Sequence, residues 1–331
     1  MNKEPTSNRQ YWTKRRKQEQ RWIKKNLASD EDFAKLIEHY YNQVIVDINK
    51  TISMNTNLIV DDEGHPTGYK PVTKEQMAAY EAEAQKVIAE ANEMRANHKQ
   101  PTYDDWPKEV NRRMRVYNAT MRINRLELLK SQLAVDLIPA TVKTDQALQD
   151  KMSNDYIDEC KRQAGIMEVA ARPSMWTGKA VAKVVMAQTN SATFSQRLWA
   201  NQDALKARLD QVISTGVVQG QNPREMARRL KDQVKDTVSN QRHVTERIVR
   251  TETARVQFRA QIDSIKNNGY RFVQWFAEPK ACVECSTIAH NNSGFGEGVY
   301  EINKAPTIPV HPNCRCSISE TWINGERNLI N

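Results

Sequence analysis

The tightest constraint on this chain is the pattern between Cys282 and Cys316, which holds four of its five cysteines. It begins as Cys282-Val283-Glu284-Cys285 and closes as His311-Pro312-Asn313-Cys314-Arg315-Cys316, with a loop rich in Asn, Gly and Ser between. A CxxC pair can place both sulfurs on one ion, and a second cluster further along can complete a tetrahedral shell of sulfur and nitrogen. Zinc is therefore the first cofactor to consider, with Cys282, Cys285, Cys314, Cys316 and His311 as candidate ligands. Four thiolates form the simplest set. The alternative places His311 in the shell instead of Cys316, and a third option keeps His311 outside it, orienting a thiolate. Reduced spectator cysteines or two disulfides compete with the metal, although a CxC disulfide is strained. None of these sets leaves an open coordination position, so the ion is expected to be structural. The segment is poor in apolar residues, so the ion is also expected to supply folding free energy that a core does not.

A length of 331 residues suggests two domains, or one domain with a long extension. No run of apolar residues is long enough to span a bilayer, so no membrane partner is expected. The first residues, Met1-Asn2-Lys3-Glu4-Pro5-Thr6-Ser7, lead into a basic stretch without an apolar h-region. Cys160 stands alone. Both features suit a chain made and folded in a reducing cytoplasm. The net charge of +9 points to an anionic partner, nucleic acid ahead of membrane. The charge is densest in residues 1–26, where Lys14, Arg15, Arg16, Lys17, Arg21, Lys24 and Lys25 are interleaved with Tyr11, Trp12 and Trp22. Such a stretch can hold phosphates and stack on bases. It can equally be a solvated amphipathic helix whose tryptophans dock on its own domain.

From Asp30 to Ser53 apolar residues recur at steps of three and four, which predicts a helix capped by Ser29-Asp30-Glu31-Asp32. Residues 55–71 read as a loop, and Thr73 caps an Ala-, Glu- and Lys-rich helix reaching Ala96. After a turn at 98–106, a helix is expected from Pro107 to Leu137, ending before Pro139, with another over 143–171. Residues 175–193 fit helix or strand. A helix opening at Phe194 is expected to stop at Gly216–Gly220, a short one to start at Asn222-Pro223, and a third to run from Asn240 to Asn268 with Gly269 as its terminator. Tyr270–Phe276 alternates and is aromatic, so it predicts a strand leading into the cysteines. The expected class is therefore mainly α with a small α+β C-terminal lobe. The expected segments are a basic arm (1–28), a helical domain (29–172), a connector (173–193), a domain over 194–318 with a cysteine-rich lobe (270–318), and a tail (319–331).

With these motifs in order, residues 194–317 resemble the minor head, or head-morphogenesis, proteins of tailed bacteriophages, the Mu F-type family. The resemblance rests on Phe194-Ser195-x-Arg197-x-Trp199, the Gly220–Leu230 helix start, Arg250-Thr251-Glu252, the Trp275 strand, the CxxC and the closing His311–Cys316 segment. The helical first half is similar to the portal-proximal extension of such proteins in siphoviruses of Gram-positive hosts. The sequence departs from the family after the CxxC, where 288–295 is longer and more polar and leaves the role of His290 open. The resemblance implies a virion component without enzymatic activity, located inside the capsid near the portal. Its partners would be the portal protein, packaged double-stranded DNA, and scaffold or major capsid protein, with a role in genome ejection. DNA contacts of that kind are expected to be independent of sequence.

Arg250 and Glu252 stand two apart on a predicted helix and so face different neighbours, which suits a role in orienting the lobe. Trp275 is read as the lobe's hydrophobic lid. Arg315, between two cysteines, is expected to be exposed and available to phosphate or a partner. A metal-dependent nuclease and a cytoplasmic DNA-binding protein are the alternatives. The first lacks the carboxylate cluster that two-metal phosphodiester cleavage uses.

Overall fold

The computed structural model describes residues 8–55, 73–97, 109–110, 112–113, 125–167, 169, 174, 177–189, 191–218 and 223–323. The protein is mainly helical, with a small three-stranded antiparallel sheet near its C-terminal end, as the sequence predicts. The elements are α1 (Asn8–Asn55), α2 (Lys74–Asn97), α3 (Arg125–Ile166), α4 (Gly178–Val185), α5 (Phe194–Val218), α6 (Pro223–Asn267), β1 (Phe272–Phe276), α7 (Val283–His290), β2 (Val299–Glu301) and β3 (Ser317–Thr321).

Helix starts obey local chemistry. Thr73 and Gln76 close a reciprocal capping box, with Thr73 Oγ1 accepting the Gln76 amide at 3.2 Å and Gln76 Oε1 accepting the Thr73 amide at 3.0 Å. Thr193 and Gln196 repeat it at the start of α5. The end of α6 is also as predicted. Gly269 has φ +79, its amide bonds the Lys266 carbonyl and the Tyr270 amide bonds that of Ile265. This is the paired closure that a left-handed residue permits. Residues 178–185, left open by the sequence, form a helix capped by Thr177.

Helix interiors depart from the sequence reading in three places. Ser29–Asp32 does not cap a helix, because α1 runs unbroken through it. Pro139 does not end a helix but lies inside α3, where Leu137, Ile138, Ala140 and Val142 are buried on either side of it. That packing outweighs the roughly 3 kcal/mol a mid-helix proline costs. Helix α6 is continuous where two helices were expected, whereas α5 ends at Val218, within the expected stop at 216–220. The buried stripe of α6 explains its continuity: Val234, Val238, Gln241, Thr245, Val249 and Glu252 recur at steps of three and four. Three of the six are polar, so apolar periodicity alone misses the stripe. The expected loop at 56–71, the turn at 98–106, the helix interior at 114–124 and the Asn222 cap lie outside the described residues.

The chain divides into two compact units, each made of segments distant in sequence. One unit comprises Lys35–Ala147 and Gln188–Glu246. Its core joins Tyr80, Ala84, Val87 and Ala91 of α2 to Leu128, Val135, Ile138 and Val142 of α3 and to Trp199 of α5. Arg113 stacks on the Trp199 ring at 4.4 Å and pairs with Asp203. Residues of the Phe194–Trp199 motif take structural roles: Phe194 and Trp199 are buried, and Arg197 donates to the carbonyls of Thr189 and Ala192. Thr245 accepts from Asn201 at 2.9 Å and shares a hydrogen bond with the Tyr41 hydroxyl at 2.8 Å.

The other unit comprises Met1–Ala34, Leu148–Ala187 and Arg247–Asn331. It contains the sheet, ordered β2-β1-β3, with Trp275 opposite Ile318 and Val273 opposite Tyr300 and Glu320. The expected boundaries at 28/29, 172/173, 193/194 and 318/319 do not coincide with these units. The front of α1 packs within the unit that holds the cysteines, and residues 319–321 are buried in β3 rather than in a tail.

Candidate metal centre

The cysteine-rich segment is not coreless. Ala254, Ile262, Ile265, Tyr270, Val273, Trp275, Ile302, Ile308 and Ile318 form one buried cluster that includes Cys285, Cys314 and Cys316. Sequence composition understated this because β1, β3 and the rear of α6 supply the apolar surface. Trp275 lies in the middle of the cluster, fully buried, consistent with a structural role.

Against this core, two segments converge. Cys282 caps α7, its sulfur accepting the Cys285 amide, so the CxxC spacing becomes the first turn of a helix with both sulfurs on one side. Further on, His311–Cys314 closes as a turn in which the Cys314 amide bonds the His311 carbonyl. Asn313 adopts φ +68, a conformation Asn tolerates better than most residues. Its amide donates to Thr251 Oγ1 of α6 at 3.1 Å, which fixes the turn. The next residues run straight into β3.

All five predicted ligands are brought together. Cys282, Cys285 and His311 place their ligand atoms within 4.8 Å of one another, and so do Cys285, Cys314 and Cys316. Cys285 is the shared member. His311 Nε2 lies 3.1 Å from Cys282 Sγ and 3.2 Å from Cys285 Sγ, and Cys285 Sγ lies 3.7 Å from Cys314 Sγ. Hydrogen bonds from the Cys316 thiol draw the Cys314 thiol down to about 5, while burial pushes that of Cys285 up. The Cys285 amide lowers Cys282, and the carbonyl of Pro312 raises His311. Sulfur and imidazole donors at this spacing can hold a soft or borderline divalent ion. Cys160, buried and apart from the cluster, is pushed up to about 11 by desolvation.

Two expected surface cations turn out to be buried. Arg315 is 3 % exposed, with its guanidinium bidentate on Asp30 of α1, both contacts at 2.6 Å, and a third on Gln257. Lys151 also approaches Asp30, at 3.6 Å. Arg15 is 2 % exposed and pairs with Glu19 and Glu320. Glu19 in turn accepts from Arg162 and Ser317. These carboxylates and amides, absent from the sequence-based site, gave no signal because each lies far along the chain from its partner. The other cations of the stretch, Lys14, Arg16, Lys17, Arg21, Lys24 and Lys25, are exposed.

Of the predicted orienting residues, Glu252 is buried and pairs with Arg255 of its own helix. Arg255 carries the interaction onward, donating to the carbonyls of Val184 and Val185 at the end of α4. Arg250 is half-exposed and 4.0 Å from Asp30. His290 bonds the Ser286 carbonyl and faces Glu297 at 3.7 Å on the surface. Nearby, Gly298 has φ +68, and a Cβ there would meet the Ala289 carbonyl oxygen at 2.5 Å.

A long-helical protein ending in a small sheet with a sulfur and imidazole cluster is the class that this fold and site define. Residues 207–319, about a third of the chain, match the family described as Phage Mu protein F like protein. Over that segment the chain is similar to Mu F-like phage head proteins. No curated protein and no solved structure matches it.

Proposed function

We propose that this protein is a non-enzymatic structural component of a tailed-phage head, positioned inside the capsid near the portal. In this reading it holds packaged DNA through sequence-independent phosphate contacts and assists head assembly and genome ejection. The observation that carries the reading is the Mu F-like match, whose span takes in both halves of the cysteine and histidine cluster. Zinc is the proposed ion, because sulfur and imidazole donors on a closed site suit a structural zinc better than a catalytic one. The protein is expected in purified particles by mass spectrometry, at few copies per head. Its absence from purified heads while abundant in the lysate would overturn the proposal.

The DNA contact is proposed for one face of α1. At about 100° per residue, Lys14, Lys17, Arg21, Lys24 and Lys25 fall within roughly one third of the helix circumference. Buried Arg15, Glu19 and Ile23 occupy the opposite side. Deleting the whole stretch is a poor test, since it strips Glu320 and Arg162 of buried partners. Reversing Lys17, Arg21 and Lys24 to Glu is clean. The slope of log K against log salt for double-stranded DNA is expected to shrink by about 3, with stability unchanged within about 0.5 kcal/mol. An unaltered slope would assign this face to a protein partner.

A further inference from the structure

We propose that Cys282 and Cys285 are an oxidative modification site, at which hydrogen peroxide oxidises Cys282, Cys285 closes a disulfide onto it, and an ion held by the cluster is released. The release rests on the metal reading above. The disulfide does not.

Exposure selects the sulfur that reacts first. Of the four clustered cysteines, Cys282 is exposed while Cys285, Cys314 and Cys316 are buried. Cys282 stands at the N-cap of α7 beside Val283, which is 84 % exposed, so a small oxidant reaches it from solvent. A metal-bound cysteine is already a thiolate, the form that attacks peroxide. Accessible sulfurs of this kind are oxidised ahead of buried ones.

Geometry then selects the partner. Cys285 belongs to both trios whose ligand atoms lie within 4.8 Å of one another, one with Cys282 and His311, the other with Cys314 and Cys316. Cys282 joins no trio with Cys314 or Cys316, although Cys285 is close to all three. The sulfurs of Cys314 and Cys316 therefore stand more than 4.8 Å from that of Cys282. Among the described residues, Cys285 is the thiol within reach. The two also span the first turn of α7, the CxxC placement of dithiols that cycle between reduced and disulfide forms.

The Cys282 thiolate attacks one peroxide oxygen, the O–O bond breaks, and a sulfenic acid and a hydroxide result. The Cys285 thiolate then attacks the Cys282 sulfur, the S–O bond breaks, and a second hydroxide leaves. The two thiolates lose two electrons, the peroxide gains them, and two protons from solvent turn the hydroxides into water. Metal binding needs thiolates, so this one bond removes two donors, including the member shared by both trios. The remaining donors, Cys314, Cys316 and His311, form no trio of their own.

The test treats zinc-loaded full-length protein with hydrogen peroxide and follows it with a zinc-sensitive dye and tryptic mapping. Residues 281–304 form one tryptic peptide that contains Cys282 and Cys285 but neither Cys314 nor Cys316. That peptide is expected to become lighter by about 2 Da as about one zinc per chain is released, and dithiothreitol with added Zn2+ is expected to reverse both. Cys282→Ser keeps a hydrogen-bonding cap on α7, and its remaining thiols are expected to be oxidised at least about 10-fold more slowly than those of the parent, with both proteins metal-free. In Cys285→Ser, Cys282 is expected to stop at the sulfenic acid, which dimedone traps. A cross-link from the 281–304 peptide to Cys314 or Cys316, no dimedone label on Cys282, or equally fast thiol loss in Cys282→Ser would overturn the site. Zinc retained alongside the disulfide would overturn the release alone. If the parent binds no zinc, the metal reading and the release fail together, and the same peptide still decides the disulfide.

Discussion

Protein stripped of its ion by a chelator is expected to melt about 8–16 °C below the zinc-loaded form, with the change confined to the unit that holds the cysteines. The size follows from two opposing facts. Structural zinc in finger peptides contributes about 10–16 kcal/mol, because without the ion there is nothing else to fold around. Here Trp275, Val273, Ile302, Ile308 and Ile318 form a core that persists without metal, so only part of that energy is expressed as stability. A net contribution of about 4 kcal/mol corresponds to the stated shift for a unit of this size. The loss has a defined location, since the ion would tie the first turn of α7 to the 311–314 turn. Amide exchange is therefore expected to rise over residues 282–290 and 308–316 and to stay constant in α2 and α5. Identical melting curves with and without chelator would show that the apolar core suffices and that the cysteines are spectators.

The cysteine cluster was legible in sequence because its logic is local at each half. CxxC and CxC spacing confines where sulfurs can go, and the strand at 272–276 and the stop at Gly269 follow from two-residue alternation and a single conformational demand. The cap at Thr73 is of the same kind. Helix continuity was not legible, for a physical reason. Pro139 and the Ser29–Asp32 segment carry local stop or start signals worth at most a few kcal/mol, and burial on both sides of each outweighs them. In α6 the stripe that holds the helix straight through includes Gln241 and Thr245, whose buried hydrogen bonds replace apolar contact. The make-up of the compact units was not legible for a related reason. A contiguous segmentation cannot describe units in which α1, α3 and α6 each contribute residues to both. Buried cations failed most completely: Arg15 and Arg315 look like surface charges until Glu320 and Asp30, 305 and 285 residues away, come beside them.

That last pairing has the largest expected effect of any single substitution away from the cysteines. Asp30→Ala is expected to cost about 3–5 kcal/mol, because it leaves the Arg315 guanidinium buried with only Gln257 as a side-chain acceptor. The cost arises from stranding a charge, not from the intrinsic strength of the pair, and this distinction is testable. Arg315→Met alone is expected to be comparably damaging, since Asp30 keeps only Lys151 at 3.6 Å and Arg250 at 4.0 Å. Combining Asp30→Leu with Arg315→Met replaces both charges by apolar side chains of similar length, and stability is expected to return to within about 1–2 kcal/mol of the parent. The cycle is measured by urea denaturation in zinc-loaded and metal-free protein, because Arg315 lies between Cys314 and Cys316 and a lost ion would otherwise inflate its cost. If the coupling between the two positions falls below about 0.5 kcal/mol in both states, water reaches the pair and the junction of α1 with the 314–316 segment is not a buried charge clasp. A coupling of 2–3 kcal/mol that persists without metal would make this pair, and not the ion, the contact that fixes the basic helix to the cysteine lobe.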